Sequence, residues 1–148
     1  MLQSLGLIHG DLKPKNILLD DESNAVIADF GTLKAQHSTV TVVTGKELVF
    51  TPIYSPPELL NFKEKNKGTD VWSFGCLALK LFTGENPYNA VDKRQIINHI
   101  SSESETVYEH YKKNKGKTDF EINQCVLELI VGCTQMRFQE RLNIIEIN

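Results

Sequence analysis

His9-Gly10-Asp11-Leu12-Lys13-Pro14-Lys15-Asn16 is the stretch on which the reading of this chain turns. Pro14 lacks a backbone N–H and biases the residue before it away from helix, so Asp11, Lys13 and Asn16 fall on a loop where their side chains can converge. Two aliphatic runs follow, Ile17–Leu19 and Val26–Ala28, whose composition predicts two buried strands. The polar cluster Asp20-Asp21-Glu22-Ser23-Asn24 predicts the turn of a hairpin centred near residues 22 and 23. Pairing about that centre sets residue 17 across from residue 28 and Asn16 beside Asp29. A slip of one position leaves those two polar side chains close. Asp29-Phe30-Gly31 comes directly after the hairpin.

Further along, residues 32–50 carry His37, Ser38, Thr39, Thr41 and Thr44 with few large apolar side chains, which predicts a loop. Pro52, Pro56 and Pro57 exclude a long helix there. Asp70 to Phe82 is apolar nearly all round, which predicts a central helix capped by Thr69 or Asp70 and stopped by Gly84. Residues 101–119, rich in Ser, Glu and Lys, predict a solvated surface loop, and Asp119 to Gln135 a second helix. Ile144, Ile145 and Ile147 begin a further apolar segment.

The chain has 148 residues, 41% of them hydrophobic and 24% charged, which is the composition of a globular domain. A net charge of −3 gives no reason to expect nucleic acid or an anionic membrane as partner, and no apolar run reaches the length of a spanning helix. The three cysteines, Cys76, Cys125 and Cys133, form no C-x-x-C, so reduced thiols and a cytoplasmic or nuclear home are expected. His9, His37, His99 and His110 lack metal-ligand spacing.

The chemistry that the motifs suit is phosphoryl transfer. An aspartate on a loop accepts a hydroxyl proton, and a lysine two residues on offsets charge developing on the phosphoryl group. An Asn and an Asp joined by a hairpin offer hard oxygen ligands to Mg²⁺. A third signal, Pro56-Pro57-Glu58, precedes Asp70-Val71-Trp72-Ser73-Phe74-Gly75 on the central helix. In these motifs and their order, the chain resembles the C-terminal lobe of eukaryotic protein kinases over essentially its whole length.

The resemblance implies a mainly α fold, with helices around a buried central helix and a small β-hairpin (α+β in the complete kinase). It makes residues 1–148 a partial kinase domain, with catalytic loop 9–16, metal-binding turn 29–31, activation segment 29–58 and central helix about 70–82. ATP and Mg²⁺ are the implied cofactors, and a protein Ser or Thr hydroxyl is the acceptor. Asp11 would be the catalytic base, Lys13 the phosphate-facing lysine, and Asn16 and Asp29 the metal ligands. Lys13 followed by Pro14 resembles the serine/threonine-specific branch. Thr51 would brace the catalytic loop, Glu58 and Arg141 would form a buried ion pair, and Asp70 would hold the loop's backbone.

Some residues depart from the family pattern. Gly10 stands where an arginine that pairs with an activation-segment phosphate is usual, Leu142 replaces a proline, and Phe50 and Lys80 are also atypical. No G-x-G-x-x-G occurs, and Met1 falls within the helix expected before the catalytic loop. The expectation is therefore a chain lacking the N-terminal lobe and inactive by itself, its uncovered lobe-facing surface apolar, prone to association and open to a partner. The alternative is a non-catalytic kinase-like binding or regulatory module.

Overall fold

The helix that organises the molecule spans Lys67–Thr83 in the computed structural model, which describes residues 7–32, 34–35, 51–61, 63–89, 92–102, 105–115 and 122–143. We number this helix α2. It begins upstream of the expected cap, because Asn66 accepts a hydrogen bond from the Gly68 N–H at 2.8 Å while the Thr69 hydroxyl accepts from the Asn66 N–H at 3.0 Å. This reciprocal box satisfies the first-turn donors and leaves Asp70 free to serve another element. The helix stops at Gly84, whose φ of 74° is left-handed.

Trp72, Cys76 and Leu79 on α2 are completely buried. Burial of a side chain the size of Leu79 stabilises by about 1.5–3 kcal/mol. The main partner is α5, Gln124–Cys133. The two helices approach closely at Gly75, where an added Cβ would lie 2.7 Å from both Cys133 Cβ and Thr134 Cγ2. Burial is not all-round, however. Phe74 and Phe82 are exposed, and Leu81 is 80% exposed. This face, with Leu12, Ile17, Ile27, Leu77 and Leu129, lines an apolar groove of about 580 Å³.

Among the described residues, four short strands form two antiparallel pairs. Leu7–Ile8 (β1) pairs with Lys34–Ala35 (β4), so the expected loop contains strand at that point. Residues 36–50 and the apolar segment 144–148 lie outside the described residues. The hairpin pairs Ile17–Leu19 (β2) with Ala25–Ile27 (β3), setting Ile17 opposite Ile27 rather than residue 28. Its turn is tightened by the Asp20 carboxylate, which accepts from the Glu22 and Asn24 amides at 2.9 and 2.8 Å. The strands are not buried as expected: Leu18, Leu19 and Val26 are 55%, 71% and 44% exposed. Ile17, Ala25 and Ile27 turn toward the α2 groove, as alternation across a two-stranded sheet allows.

The other helices are a single turn, α1 (Pro57–Leu60), then α3 (Lys93–Ser101) and α4 (Val107–Asn114). α4 corrects the loop expected over 101–119: Thr106 and Glu109 form a capping box, and Val107, His110 and Tyr111 are buried. α5 starts later than expected, capped by Asn123. Cys76 and Cys133 are buried, Cys125 is exposed, and all three are free thiols. No helix of the described residues is long and apolar enough to cross a membrane.

Candidate active site

Loop 9–16 takes its shape from α2. The backbone N–H groups of His9 and Gly10 donate to the two Asp70 carboxylate oxygens at 2.8 and 2.7 Å. Gly10 meets that requirement at φ 75°, where glycine alone is unstrained. Burial pushes the Asp70 carboxyl above its usual range, while the two N–H bonds and the charges of His9 and Lys65 pull it back. The His9 ring ties the loop to the hairpin. Its Nδ1 accepts from the Asp11 N–H at 3.3 Å, and its Nε2 faces the Ala28 carbonyl at 3.1 Å.

On this frame the side chains of Asp11, Lys13 and Thr51 meet. Lys13 Nζ donates to Asp11 Oδ2 and, at 3.2 Å, to the Thr51 hydroxyl. The Thr51 N–H donates to Asp11 Oδ1 at 3.3 Å. Asn16 is buried, and its Nδ2 donates to the Asp11 carbonyl at 2.9 Å. That bond holds the amide by its nitrogen end, which leaves the oxygen as the end able to ligate. The Ala28 N–H donates to the Asn16 carbonyl at 2.8 Å, so the hairpin brings Asp29 one residue beyond the Asn16 pairing position.

Asp29 adopts φ 61°, in the left-handed region that Asp tolerates better than most residues. Its exposed carboxylate faces its own turn, accepting from the Gly31 N–H at 3.4 Å. An amide oxygen and a carboxylate on neighbouring backbone are hard donors that fit Mg²⁺. Among the described residues no cluster of three or more His, Cys, Asp or Glu side chains could hold a metal. A two-ligand site completed by phosphate oxygens and water is the kind that these residues suit.

Below the loop, Arg141 and Glu58 form a two-bond pair at 2.7 and 2.8 Å, both side chains buried. Arg141 also donates to the Gln135, Gly68 and Met136 carbonyls at 2.8, 2.8 and 3.2 Å, and its guanidinium lies 5.1 Å above the Trp72 ring. This anchor joins α1, the start of α2 and the segment after α5. It supports the site from beneath and makes no contact with Asp11 or Lys13. His9, which ties the loop to the hairpin, and Lys65, whose side chain lies beside Gly10, escape a reading of spacing alone. His9 lies in the motif but shows its role only once the hairpin folds back, and Lys65 bears no local signal.

Similarity to known proteins agrees with this geometry. The family model for the protein kinase domain matches residues 1–148. The chain belongs to the eukaryotic serine/threonine protein kinase family. It is 34% identical over 145 residues to the serine/threonine-protein kinase pelle of Drosophila melanogaster, covering 91% of this chain and 29% of that protein. It is 36% identical over 107 residues to the 3-phosphoinositide-dependent protein kinase 1 of Arabidopsis thaliana, covering 67% of this chain and 22% of that protein. The human protein of the same name is 37% identical over 99 residues, with 67% and 18% covered. The chain thus spans less than a third of the length of these curated relatives.

Proposed function

We propose that these residues form the catalytic-loop half of a serine/threonine kinase site that moves the terminal phosphoryl group of ATP to a protein hydroxyl. In this reading residues 9–16 are the catalytic loop, 29–31 the metal-binding turn and 29–58 the activation segment. Asp11 is the general base, Lys13 the phosphate-facing cation, and Asn16 and Asp29 the Mg²⁺ ligands. The observation that carries it is the meeting of Asp11, Lys13 and Thr51, contributed by segments far apart in sequence.

At rest, Lys13 neutralises Asp11 Oδ2. A terminal phosphate competes for that ammonium, and Lys13 turning to it frees Oδ2 for the proton of a Ser or Thr hydroxyl. The hydroxyl oxygen forms the new P–O bond as the bond to the leaving phosphate oxygen breaks. The Thr51 N–H keeps Oδ1 fixed throughout. Mg²⁺ held by Asn16 and Asp29 would neutralise phosphate charge. No G-x-G-x-x-G is present in the 148 residues, so this chain tested alone should not turn over.

Mg-ATP titrated into the chain should shift the Asn16 side-chain amide resonances and raise the melting temperature, and Asn16→Ala should abolish both. Absence of any response in the parent chain would overturn the metal assignment. In a kinase that includes the nucleotide-covering half, Asp11→Asn should lower kcat about 10²–10⁴-fold with KM for ATP unchanged, and retained kcat would remove Asp11 as base. The apolar α2 groove favours a second reading, a non-catalytic module in which a partner covers that groove. A tight stoichiometric complex with no nucleotide response would select it.

A further inference from the structure

Position 10 has no side chain, yet the space beside it is filled. A Cβ built on Gly10 would lie 2.2, 2.5 and 2.6 Å from Nζ, Cε and Cδ of Lys65, so the end of that lysine lies across the bare face of the loop. Lys65 comes from the linker between α1 and α2. The Gly10 amide beneath it donates to Asp70 Oδ1 at 2.7 Å, which sets the ammonium near a buried carboxylate. The ionisable bases facing that carboxylate are His9, on its own loop, and Lys65. Of the two, Lys65 brings an ammonium that carries its charge throughout the neutral pH range.

We propose that Lys65 is a positioning residue for loop 9–16, its ammonium serving as the counter-charge that keeps the Asp70 carboxylate fastened to the His9 and Gly10 amides. A buried carboxylate carries a desolvation cost that two amide donors offset only in part. A nearby ammonium adds Coulomb attraction in a medium less polar than water. Glycine at position 10 is the residue that leaves room for it, since any side chain there would displace the lysine. The proposal rests on the kinase reading only in calling the loop catalytic; the clamp itself does not need that reading.

Amide exchange of Gly10 in the full chain reads the clamp directly. At pH 7, Lys65→Met should accelerate that exchange by roughly tenfold while Lys65→Arg leaves it near the parent rate. In an Asp70→Asn background the same Lys65→Met change should have no effect, because the charge it answers is gone. The difference between parent and Lys65→Met should also disappear as acid protonates Asp70. Any His9 contribution is common to both chains and cancels. Equal exchange in parent and Lys65→Met, or the same acceleration with Asp70→Asn, overturns the proposal. Faster exchange in a chain whose complete kinase transfers no phosphate would sink the kinase reading and leave the clamp standing.

Discussion

Removing Arg141 would leave the Glu58 carboxylate charged, buried and without its main partner. Arg141→Met should therefore cost on the order of 3–5 kcal/mol, read as a fall in the urea midpoint with the slope unchanged. Glu58→Leu combined with Arg141→Met should recover part of that loss, because two apolar groups leave no stranded charge. An Arg141→Met midpoint equal to the parent's would show that the pair contributes nothing. At this scale the site was largely legible. Asp11, Lys13 and Asn16 are close in sequence and Pro14 forces them onto a loop, so their meeting is local. By residue type Asp70 suits a helix cap, and the family resemblance implies that it holds the loop's backbone. Asn66 took the cap, and Asp70 was left for the loop. Lys65 was not legible at all, since its role comes from what lies across from it in space.

Among the elements, α4 offers the sharpest test. Thr106 accepts from the Glu109 N–H at 3.2 Å and the Glu109 carboxylate accepts from the Thr106 N–H at 2.9 Å, so Thr106→Ala should cost about 1 kcal/mol in thermal or urea unfolding. A second test is acid. Burial of Glu105 pushes its carboxyl up, but hydrogen bonds from Lys113 and His110 outweigh this and hold it below its ordinary value of 4.5. Its folded form thus binds a proton less readily than its unfolded form. The stabilisation is complete above the unfolded value and is lost as pH falls through the lower folded one. Melting temperature should drop steeply below about pH 5 in the parent, and less steeply in Glu105→Gln. An identical pH profile for both chains would remove Glu105 from the account. The polar composition of 101–119 hid this helix, although Thr106-Val107-Tyr108-Glu109 carries a capping signature. The hairpin failed in the other direction. Its aliphatic residues suggest burial, but two strands with α2 on one side have only one face to bury.

For the whole molecule, the exposed Phe74, Leu81 and Phe82 face should drive association. Light scattering should show apparent mass rising with concentration, and Leu81→Lys should reduce that rise without lowering the melting temperature. A parent chain of constant mass would show the face to be inert. The site, for its part, is fastened across a long sequence separation: His9 and Gly10 hydrogen-bond to a carboxylate 61 and 60 positions away. On a ribosome adding roughly 5–20 residues per second, that carboxylate is made about 3–12 s after the loop. During this interval the nascent polypeptide carries Asp11, Lys13 and Asn16 without the carboxylate that fastens their loop, so the arrangement is complete only when the first turn of α2 has been translated and has folded back.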